Sequence, residues 1–263
     1  MLRFLFFVLA FLLLSNTAFS NDPYPSYPLT SCDKTPGMAD SHVLALSWLP
    51  AFCDAHGYEA GYAECLDLPP ESFHAKNLVL HGLWPNEASC GMDYNFCDAE
   101  IKANHCDYPS LSLPSSISKE LQMLMPSYAY GGCLERHEWH KHGSCQLLPV
   151  SQYFALALRL TREAVNSPFG NYLSRHSGKK VKKDDLLKIL EQSFGKNTTQ
   201  KIYLGCRNGM LVDVYINLPA LIPYDADLKS LVQKADKYKK TGQCPKTILI
   251  SDFTAKTLRG IAS

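Results

Sequence analysis

Cysteine content is the sequence feature that most constrains the fold of this chain. All ten cysteines of the 263 residues follow residue 31. An even number of cysteines behind an apolar N-terminal segment predicts up to five disulfides and an oxidising compartment. No Cys-x-x-Cys pair occurs, which weakens zinc-ribbon and thioredoxin-like interpretations. The sequence itself leaves the pairing open among Cys32, Cys53, Cys65, Cys90, Cys97, Cys106, Cys133, Cys145, Cys206 and Cys244.

The N-terminus has the pattern of a secretory signal peptide. Arg3 precedes an unbroken run of eleven apolar residues, 4–14, and the segment ends in Ala18-Phe19-Ser20, an A-x-S-type cleavage signal. We therefore expect a signal peptide at residues 1–20 and a mature chain of 263 − 20 = 243 residues. An uncleaved membrane anchor is the alternative, but an eleven-residue run is too short to span a bilayer.

Net charge excludes a general nucleic-acid coating protein. Without Arg3 the chain has 25 basic and 25 acidic residues, whereas coating proteins are strongly basic. Any binding of phosphate groups must therefore come from a few residues at one site. The one dense basic tract, 179–183, is followed by Asp184 and Asp185, and we interpret it as the solvated start of a helix rather than a track for nucleic acid.

Hydrophobic patterning predicts an α+β fold. The apolar run His42–Trp48 predicts a central strand, and a second buried strand ends in His81, with Gly82 and Pro85 breaking it. Asn208-Gly209 lies between two β-rich runs and predicts a hairpin. Residues 86–114 predict a long, stapled loop. Further predicted elements are helices at 115–125, 149–166 and 183–194 and strands at 202–204, 211–216 and 248–250. This mixed order predicts one domain at 21–263, with a central, mostly antiparallel sheet, packed helices and disulfide staples.

The stretch 136–145 holds three histidines, a glutamate, a lysine and a cysteine in ten residues. If it is helical, a rotation of about 100° per residue places four titratable side chains on one face, while Trp139 and His140 lie off it. Gly143 then predicts the helix end, because glycine tolerates positive φ at that position. The four side chains are His137, Glu138, Lys141 and His142.

Three interpretations compete for this face. It can be a solvated helix with weakly stabilising i,i+4 charge pairs. It can be a zinc site of the His-Glu-x-x-His type, but Lys141 stands at the second ligand position and an ammonium group cannot ligate. It can also perform acid–base chemistry on a bound anion, with one imidazole taking a proton, another giving one, and Lys141 stabilising a charged transition state. Phosphate transfer has these requirements.

A motif earlier in the chain, at 81–85 (the first motif), decides between these interpretations of the stretch at 137–145 (the second motif). A lone histidine at a strand end is more often structural than catalytic. However, His81-Gly82-Leu83-Trp84-Pro85 followed by the motif at 137–145 resembles the two active-site segments of the ribonuclease T-two family, the acid endoribonucleases. Both motifs are long, contain rare residues and occur in family order. The flank at 131–136 looks like the bacterial, ribonuclease-one-type branch. The resemblance covers most of the chain after the leader and is sharp at 42–53, 77–90 and 133–145.

The resemblance implies a secreted endoribonuclease that cleaves single-stranded RNA with low base specificity, without a metal or other cofactor. Cleavage would proceed through a 2′,3′-cyclic phosphate to 3′-phosphate ends. His142 is implied as the general base, His81 as the general acid and His137 as the phosphate-binding histidine. Glu138 and Lys141 would stabilise the transition state, and Glu138 would also orient His142.

Base-binding residues are less well defined by the sequence. Trp84 and Tyr94 are candidates for stacking on bases, and Asn86 for a hydrogen bond to a base edge. Core packing is an equal alternative for Trp84. The sequence leaves the base preference open.

The resemblance also implies three disulfides: Cys53–Cys65, Cys206–Cys244 and Cys90–Cys145. The last would tie the loop after His81 to the end of the helix that carries His142. The remaining four cysteines stay open.

Two rival functions remain at this stage. A non-catalytic, secreted, disulfide-rich binding protein would use the same cysteines, but the intact histidines and lysine argue against it. A secreted metallohydrolase is not supported by the ligand spacing. We expect a monomer with RNA as its substrate, no obligatory protein partner and no membrane association. A bacterial periplasmic or extracellular location is favoured, with a lysosome or vacuole if the source is eukaryotic.

Overall fold

A six-stranded, mostly antiparallel sheet forms the centre of the protein. The computed structural model describes residues 32, 34–90, 93–238 and 242–253, so the expected signal peptide at 1–20 lies outside the described residues. The strand order is β2-β1-β5-β6-β3, and β4 pairs with β5. The strands are β1 (Ser41–Trp48), β2 (Leu78–Asn86), β3 (Lys179–Lys182), β4 (Ile202–Arg207), β5 (Met210–Pro219) and β6 (Thr247–Ile250).

The helices lie between the strands in sequence, and several of them pack against the sheet. The α helices are α1 (Leu49–Phe52), α2 (Tyr58–Ala60), α3 (Ala63–Leu66), α4 (Phe73–Lys76), α5 (Ser115–Leu124), α6 (Pro126–Ala129), α7 (Leu134–Lys141), α8 (Val150–Asn166), α9 (Pro168–Arg175), α10 (Lys183–Phe194) and α11 (Leu228–Lys234). A π-helical turn covers Cys53–Gly57, and short 3-10 turns cover His105–Asp107, Gly143–Cys145 and Thr198–Gln200. The predicted α+β, single-domain architecture is confirmed.

The predicted central strand and long helices are confirmed. β1 lies between β2 and β5 and is buried from Val43 to Trp48. Apolar residues at helical spacing bury one face of α8, which packs on β1 and β2. The Tyr153 hydroxyl on this helix donates to the Leu83 carbonyl at 2.9 Å, which anchors β2 beside the first motif. The predicted hairpin is also confirmed, since Asn208 and Gly209 have φ of 52° and 79° between β4 and β5.

The prediction that Gly82 and Pro85 end the second strand is wrong. β2 continues to Asn86 and pairs with β1 along its whole length. Gly82 is opposite Ala45, whereas Leu80 is opposite the next residue of β1, so His81 is the extra residue of a β-bulge. β2 is at the sheet edge, where a proline is tolerated because one side of the strand needs no backbone donor.

The basic tract is not the start of a helix. Lys179–Lys182 forms the edge strand β3, paired antiparallel with β6, and α10 begins at Lys183. The strand partner lies more than sixty residues later in the chain, so a local charge pattern does not reveal it. Exposed lysines on an edge strand discourage pairing with another chain, which gives the tract a structural role.

All ten cysteines are paired, as predicted. Cys53–Cys65 and Cys206–Cys244 are confirmed. The Cys90–Cys145 pairing is wrong. The other three disulfides are Cys32–Cys90, Cys97–Cys145 and Cys106–Cys133.

The loop geometry explains the change of partner. Phe96 and Asp98 have φ of 50° and 52°, and the Phe96 amide donates to the Lys141 carbonyl at 2.7 Å. These left-handed residues turn the chain so that Cys97 faces Cys145, with a Cα–Cα distance of 4.9 Å. The disulfide therefore still ties the loop after β2 to the end of the second motif, but from Cys97.

Replacing both Cys97 and Cys145 by serine should lower the free energy of unfolding by about 2–4 kcal/mol, because the disulfide closes a long loop. It should also accelerate amide hydrogen exchange at residues 142–145, since the turn loses its covalent anchor. Chemical denaturation and exchange mass spectrometry measure the two effects. The matched control replaces Cys206 and Cys244, which should destabilise the protein without loosening that turn. Equal exchange rates at 142–145 in both variants would contradict this account.

Candidate active site

The first motif supplies His81 from a bulge in β2. A bulge re-aims a side chain that regular strand geometry would fix. The neighbouring Gly82 is required by close packing, because a Cβ there would lie 1.8 Å from Oε2 of Glu138. A glycine in this strand therefore admits a carboxylate from the second motif.

The second motif is helical, as predicted. Cys133, with φ of 57°, precedes α7 and is covalently bound to Cys106. The predicted end at Gly143 is wrong in its geometry. The chain passes from α7 through His142 directly into the 3-10 turn Gly143–Cys145, and Gly143 is not among the residues with positive φ. This glycine is needed for space, since a Cβ would lie 2.2 Å from the Trp139 ring.

Glu138 is the contact between the two motifs. Its side chain is buried, and Oε2 accepts a hydrogen bond of 2.7 Å from the indole Nε1 of Trp84. Oε1 lies 3.7 Å from Nε2 of His81. The carboxyl group thus reaches His81 directly and His142 only through Trp84. Any orienting effect of Glu138 on His142 is therefore indirect, through the Trp84 ring that it holds.

Trp84 lies between His81 and His142. Its ring stacks on His142 with a centroid distance of 5.2 Å and an angle of 26°. His81 meets the same ring edge-on, at 5.4 Å and 85°. Tyr215 of β5 packs against it at 5.2 Å. Trp84 is therefore part of the internal framework of the site, with a half-buried ring.

His137 is stacked on a histidine that the sequence patterns did not single out. The rings of His105 and His137 are 4.2 Å apart with an interplanar angle of 26°. His105 lies in the 3-10 turn that the Cys106–Cys133 disulfide joins to the start of α7. A Cys106–Cys133 disulfide places His105, the neighbour of Cys106, within one helical turn of His137. Because the sequence left the pairing of these two cysteines open, it did not identify His105.

The electrostatics of the site favour neutral side chains while no anion is bound. Burial raises the pKa of Glu138 to about 8, partly offset by the Trp84 hydrogen bond and by Lys141. Burial and the positive charge of Lys141 lower the pKa of His81 to about 4. Burial and the neighbouring His105 and Lys141 lower the pKa of His137 to about 3. The pKa of His142 is well below its ordinary value for the same reasons, burial first and then Lys141.

Two residues predicted to bind bases occupy different surroundings. Tyr94 is 2% exposed, and its hydroxyl donates to the carbonyls of Thr35 and Cys145 at 2.7 and 3.1 Å. It packs with the disulfides and does not offer a ring for stacking, so the prediction for Tyr94 is wrong. Asn86 lies at the end of β2, where its Nδ2 donates to the Trp84 carbonyl at 3.2 Å.

A pocket of about 180 Å³ opens beside the histidines. It is lined by the end of β1, α1, β2 up to His81, the 3-10 turn that carries His105, and residues of α3, α6 and the start of α7. Glu64 also lines it, and burial raises the pKa of its carboxyl group. Its lining includes His81, His105, Tyr62, Ser127, Gly132 and Leu134.

Comparison with known proteins agrees with the motifs. A family model described as "Ribonuclease T2 family" matches residues 39–244. The chain belongs to the ribonuclease T2 family. The predicted enzyme of the ribonuclease T2 type is thereby confirmed. Ribonuclease I of Escherichia coli is 30% identical over 205 residues, covering 70% of this chain and 76% of its own.

Solved structures support the fold of this T2 ribonuclease. RNase NT in complex with 5′-AMP has a TM-score of 0.55 and 20% identity, covering 82% of this chain and 99% of its own. The self-incompatibility-associated SF11-RNase of Nicotiana alata has a TM-score of 0.54 and 18% identity, covering 81% and 99%. Within the described residues of the present chain, no helix has the length and apolar content needed to cross a membrane.

Replacing Trp84 with phenylalanine distinguishes a framework role from base stacking. Phenylalanine keeps an aromatic face but cannot donate to Glu138, so we expect kcat to fall by about tenfold or more. If Trp84 only stacks on bases, kcat should change little. Trp139→Phe is the matched control, because Trp139 packs on Tyr153 off the titratable face. Steady-state kinetics on RNA measure both variants, and equal kcat values would contradict the framework role.

Proposed function

We propose that this T2 ribonuclease is a secreted endoribonuclease that cleaves single-stranded RNA by metal-independent transphosphorylation. The observation that supports it best is the placement of His81 and His142 against the same Trp84 ring, beside the buried Glu138. Two imidazoles around one reaction centre suit a base and an acid working together. RNA carries its own nucleophile, the 2′-hydroxyl, so no metal or covalent enzyme intermediate is required.

In the first step His142 acts as the general base. Its buried ring has a lowered pKa and is held neutral, which is the state a base needs. It removes the 2′ proton, and the oxygen attacks phosphorus. The Nδ1 atom of His142 is buried without a hydrogen-bond partner in the described part of the chain, so Nε2 is the nitrogen we assign to the 2′-hydroxyl.

In the same step His81 acts as the general acid and protonates the leaving 5′-oxygen. A phosphodiester anion bound between Lys141 and His137 offsets the positive charge that lowers the pKa of His81, so substrate binding favours its protonation. The neutral carboxyl group of Glu138, whose Oε1 lies 3.7 Å from Nε2, holds the His81 ring in position. The 2′,3′-cyclic phosphate product is then hydrolysed to a 3′-phosphate.

Lys141 and His137 hold the reacting phosphate. Lys141 acts electrostatically on all of the site histidines and makes no ion pair with a carboxylate among the described residues. A fixed cation without a protein partner is suited to developing negative charge on phosphate. Asn86 remains our candidate for a contact with a base edge. A site with one polar contact to the base edge is expected to discriminate little between bases.

We also propose that the chain is exported, with cleavage of residues 1–20 and a catalytic domain at 21–263. The five disulfides support an oxidising compartment. A bacterial periplasmic or extracellular location and a monomeric enzyme without a protein partner complete the proposal. N-terminal sequencing of the protein recovered from its native compartment tests the cleavage site, and a mature chain that retains residue 1 would contradict it.

Replacing His81 or His142 with alanine should reduce RNA cleavage by about 10³-fold or more, because each removes one proton-transfer group. His140→Ala is the matched control. The His140 ring stacks on Tyr108, and its Nδ1 lies 2.8 Å from the Arg136 carbonyl, off the catalytic face. Cleavage of a mixed-sequence RNA at acid pH with EDTA present measures the effect, and mass analysis identifies the ends.

Full activity of the His142→Ala protein would refute the assignment. Wild-type protein that is folded and oxidised but leaves RNA intact would favour the rival, a non-catalytic binding protein on the same fold. Loss of activity with EDTA would restore a metal-dependent mechanism.

Activity should peak on the acid side of the ordinary histidine pKa. The reaction needs neutral His142 and protonated His81, and burial and Lys141 lower both pKa values. Lys141→Gln removes one positive charge, so both pKa values should rise and the pH profile of kcat/KM should move to higher pH, while its maximum falls by about 10²-fold. Lys182→Gln on the exposed edge strand is the control and should leave the profile in place. An unmoved profile in Lys141→Gln would count against this electrostatic account.

A further inference from the structure

A further histidine, His105, lies against His137 and shares a pocket with His81. Its ring is stacked on that of His137 at 4.2 Å. It is only partly buried, so the ring is accessible to a ligand. Neither motif contains it.

The position of His105 is fixed without the use of its ring nitrogens. The adjacent Cys106 is covalently bound to Cys133, at the start of α7. The Arg136 guanidinium donates to the carbonyls of Cys106 and Tyr108 at 3.3 and 3.2 Å. The backbone that follows the histidine is therefore held at two positions, which presents the imidazole in a preorganised way.

The ring differs from the structural histidines of this chain. Nδ1 of His140 and Nδ1 of His176 each lie 2.8 Å from the carbonyl of the residue four positions earlier. The His105 ring makes no such bond to any described residue. The carboxylate of Asp107, on the same turn, accepts from the amide and side chain of Asn104 at 3.2 and 3.1 Å and forms no ion pair with His105.

Positive or protonatable groups surround His105, and the one carboxyl group in the lining of its pocket, Glu64, has a pKa that burial raises, which favours its neutral form. Burial and then Lys141 lower the pKa of His105, and its ring in turn lowers the pKa of His137 and of His81. Two stacked imidazoles repel one another when both are protonated, and the buried carboxyl group of Glu138 already accepts a hydrogen bond from Trp84. An anion is the partner that this arrangement lacks, and one placed at the edge of the stacked pair would hydrogen-bond to both rings.

We propose that His105 is a substrate-binding residue, which contacts a phosphate of the RNA backbone together with His137. The proposal rests on the proposed function, because it assigns a further phosphate contact to that site. His105 lies on the pocket side of His137, so the contact is with backbone in or next to the pocket. Its effect is on binding of the RNA, and the proton transfers remain with His81 and His142.

Two substitutions separate phosphate contact from stacking. His105→Phe keeps a ring that can stack on His137 but has no donor, and His105→Gln keeps a donor but has no charge. The matched control is His176→Gln, since His176 is also stacked on a neighbouring ring, that of Tyr172, at 4.0 Å. Initial rates on a short RNA at the acid optimum give kcat and KM at several salt concentrations. Thermal unfolding establishes that each variant is folded.

For His105→Phe we expect KM to rise by about tenfold with kcat within about twofold of the wild type. The slope of log(kcat/KM) against log salt should become shallower by about 0.7, because one contact to a single-stranded phosphate is lost. His105→Gln should recover part of KM but not the salt slope, and His176→Gln should match the wild type in both.

Unchanged KM and salt slope in both folded His105 variants would overturn the proposal. A fall in kcat alone would also overturn it, since that result assigns His105 to orientation of His137. If one variant does not fold, the other decides the question by the same two readouts. Failure of the proposed function is a separate result, because the wild-type protein would then cleave no RNA.

Discussion

The buried carboxyl group of Glu138, packed on the bare backbone of Gly82, is the contact on which the site depends. Any side chain at Gly82 would occupy the space of the carboxylate, because even a Cβ would lie 1.8 Å from Oε2. The same oxygen accepts from Trp84, and the other oxygen approaches His81. Glu138 of α7 therefore contacts three residues of β2: the bulged His81, Gly82, and Trp84, whose indole stacks on His142.

A short polar helix needs support from outside its own sequence. α7 has eight residues, no side-chain N-cap and few buried apolar groups, so propensity alone does not stabilise it. A disulfide closes each end, from Cys106 to Cys133 before the helix and from Cys97 to Cys145 after it. The residues between them are free to carry titratable groups in place of core residues. Burial and the charge of Lys141 lower the pKa values of His137 and His142, and of His81 on β2, which favours their neutral forms until an anionic substrate binds.

Local patterns predicted the parts of the structure that local physics determines. Helical spacing alone placed His137, Glu138, Lys141 and His142 on one face. Apolar content and turn residues predicted β1, α8, α10 and the Asn208-Gly209 hairpin. The errors involve partners that are distant in sequence. β2 continues through Gly82 because it pairs with β1, and this glycine leaves room for Glu138, more than fifty residues later. β3 likewise depends on pairing with β6. The choice of Cys97 rather than Cys90 as the partner of Cys145 depends on left-handed backbone at residues 96 and 98, which are neither glycine nor asparagine. Without the correct disulfide pairing, the sequence predicted neither the position of His105 nor the burial of Tyr94.

The most direct test of the account uses a DNA oligonucleotide that contains one ribonucleotide. The central claim is that the site activates the 2′-hydroxyl next to the scissile phosphate and needs no metal. With EDTA present, the account predicts a single cut on the 3′ side of the ribonucleotide, and mass spectrometry should show a 2′,3′-cyclic phosphate or 3′-phosphate there. Cleavage at deoxynucleotides, or 3′-hydroxyl and 5′-phosphate ends, would contradict it, because neither result can arise from attack by the 2′-oxygen.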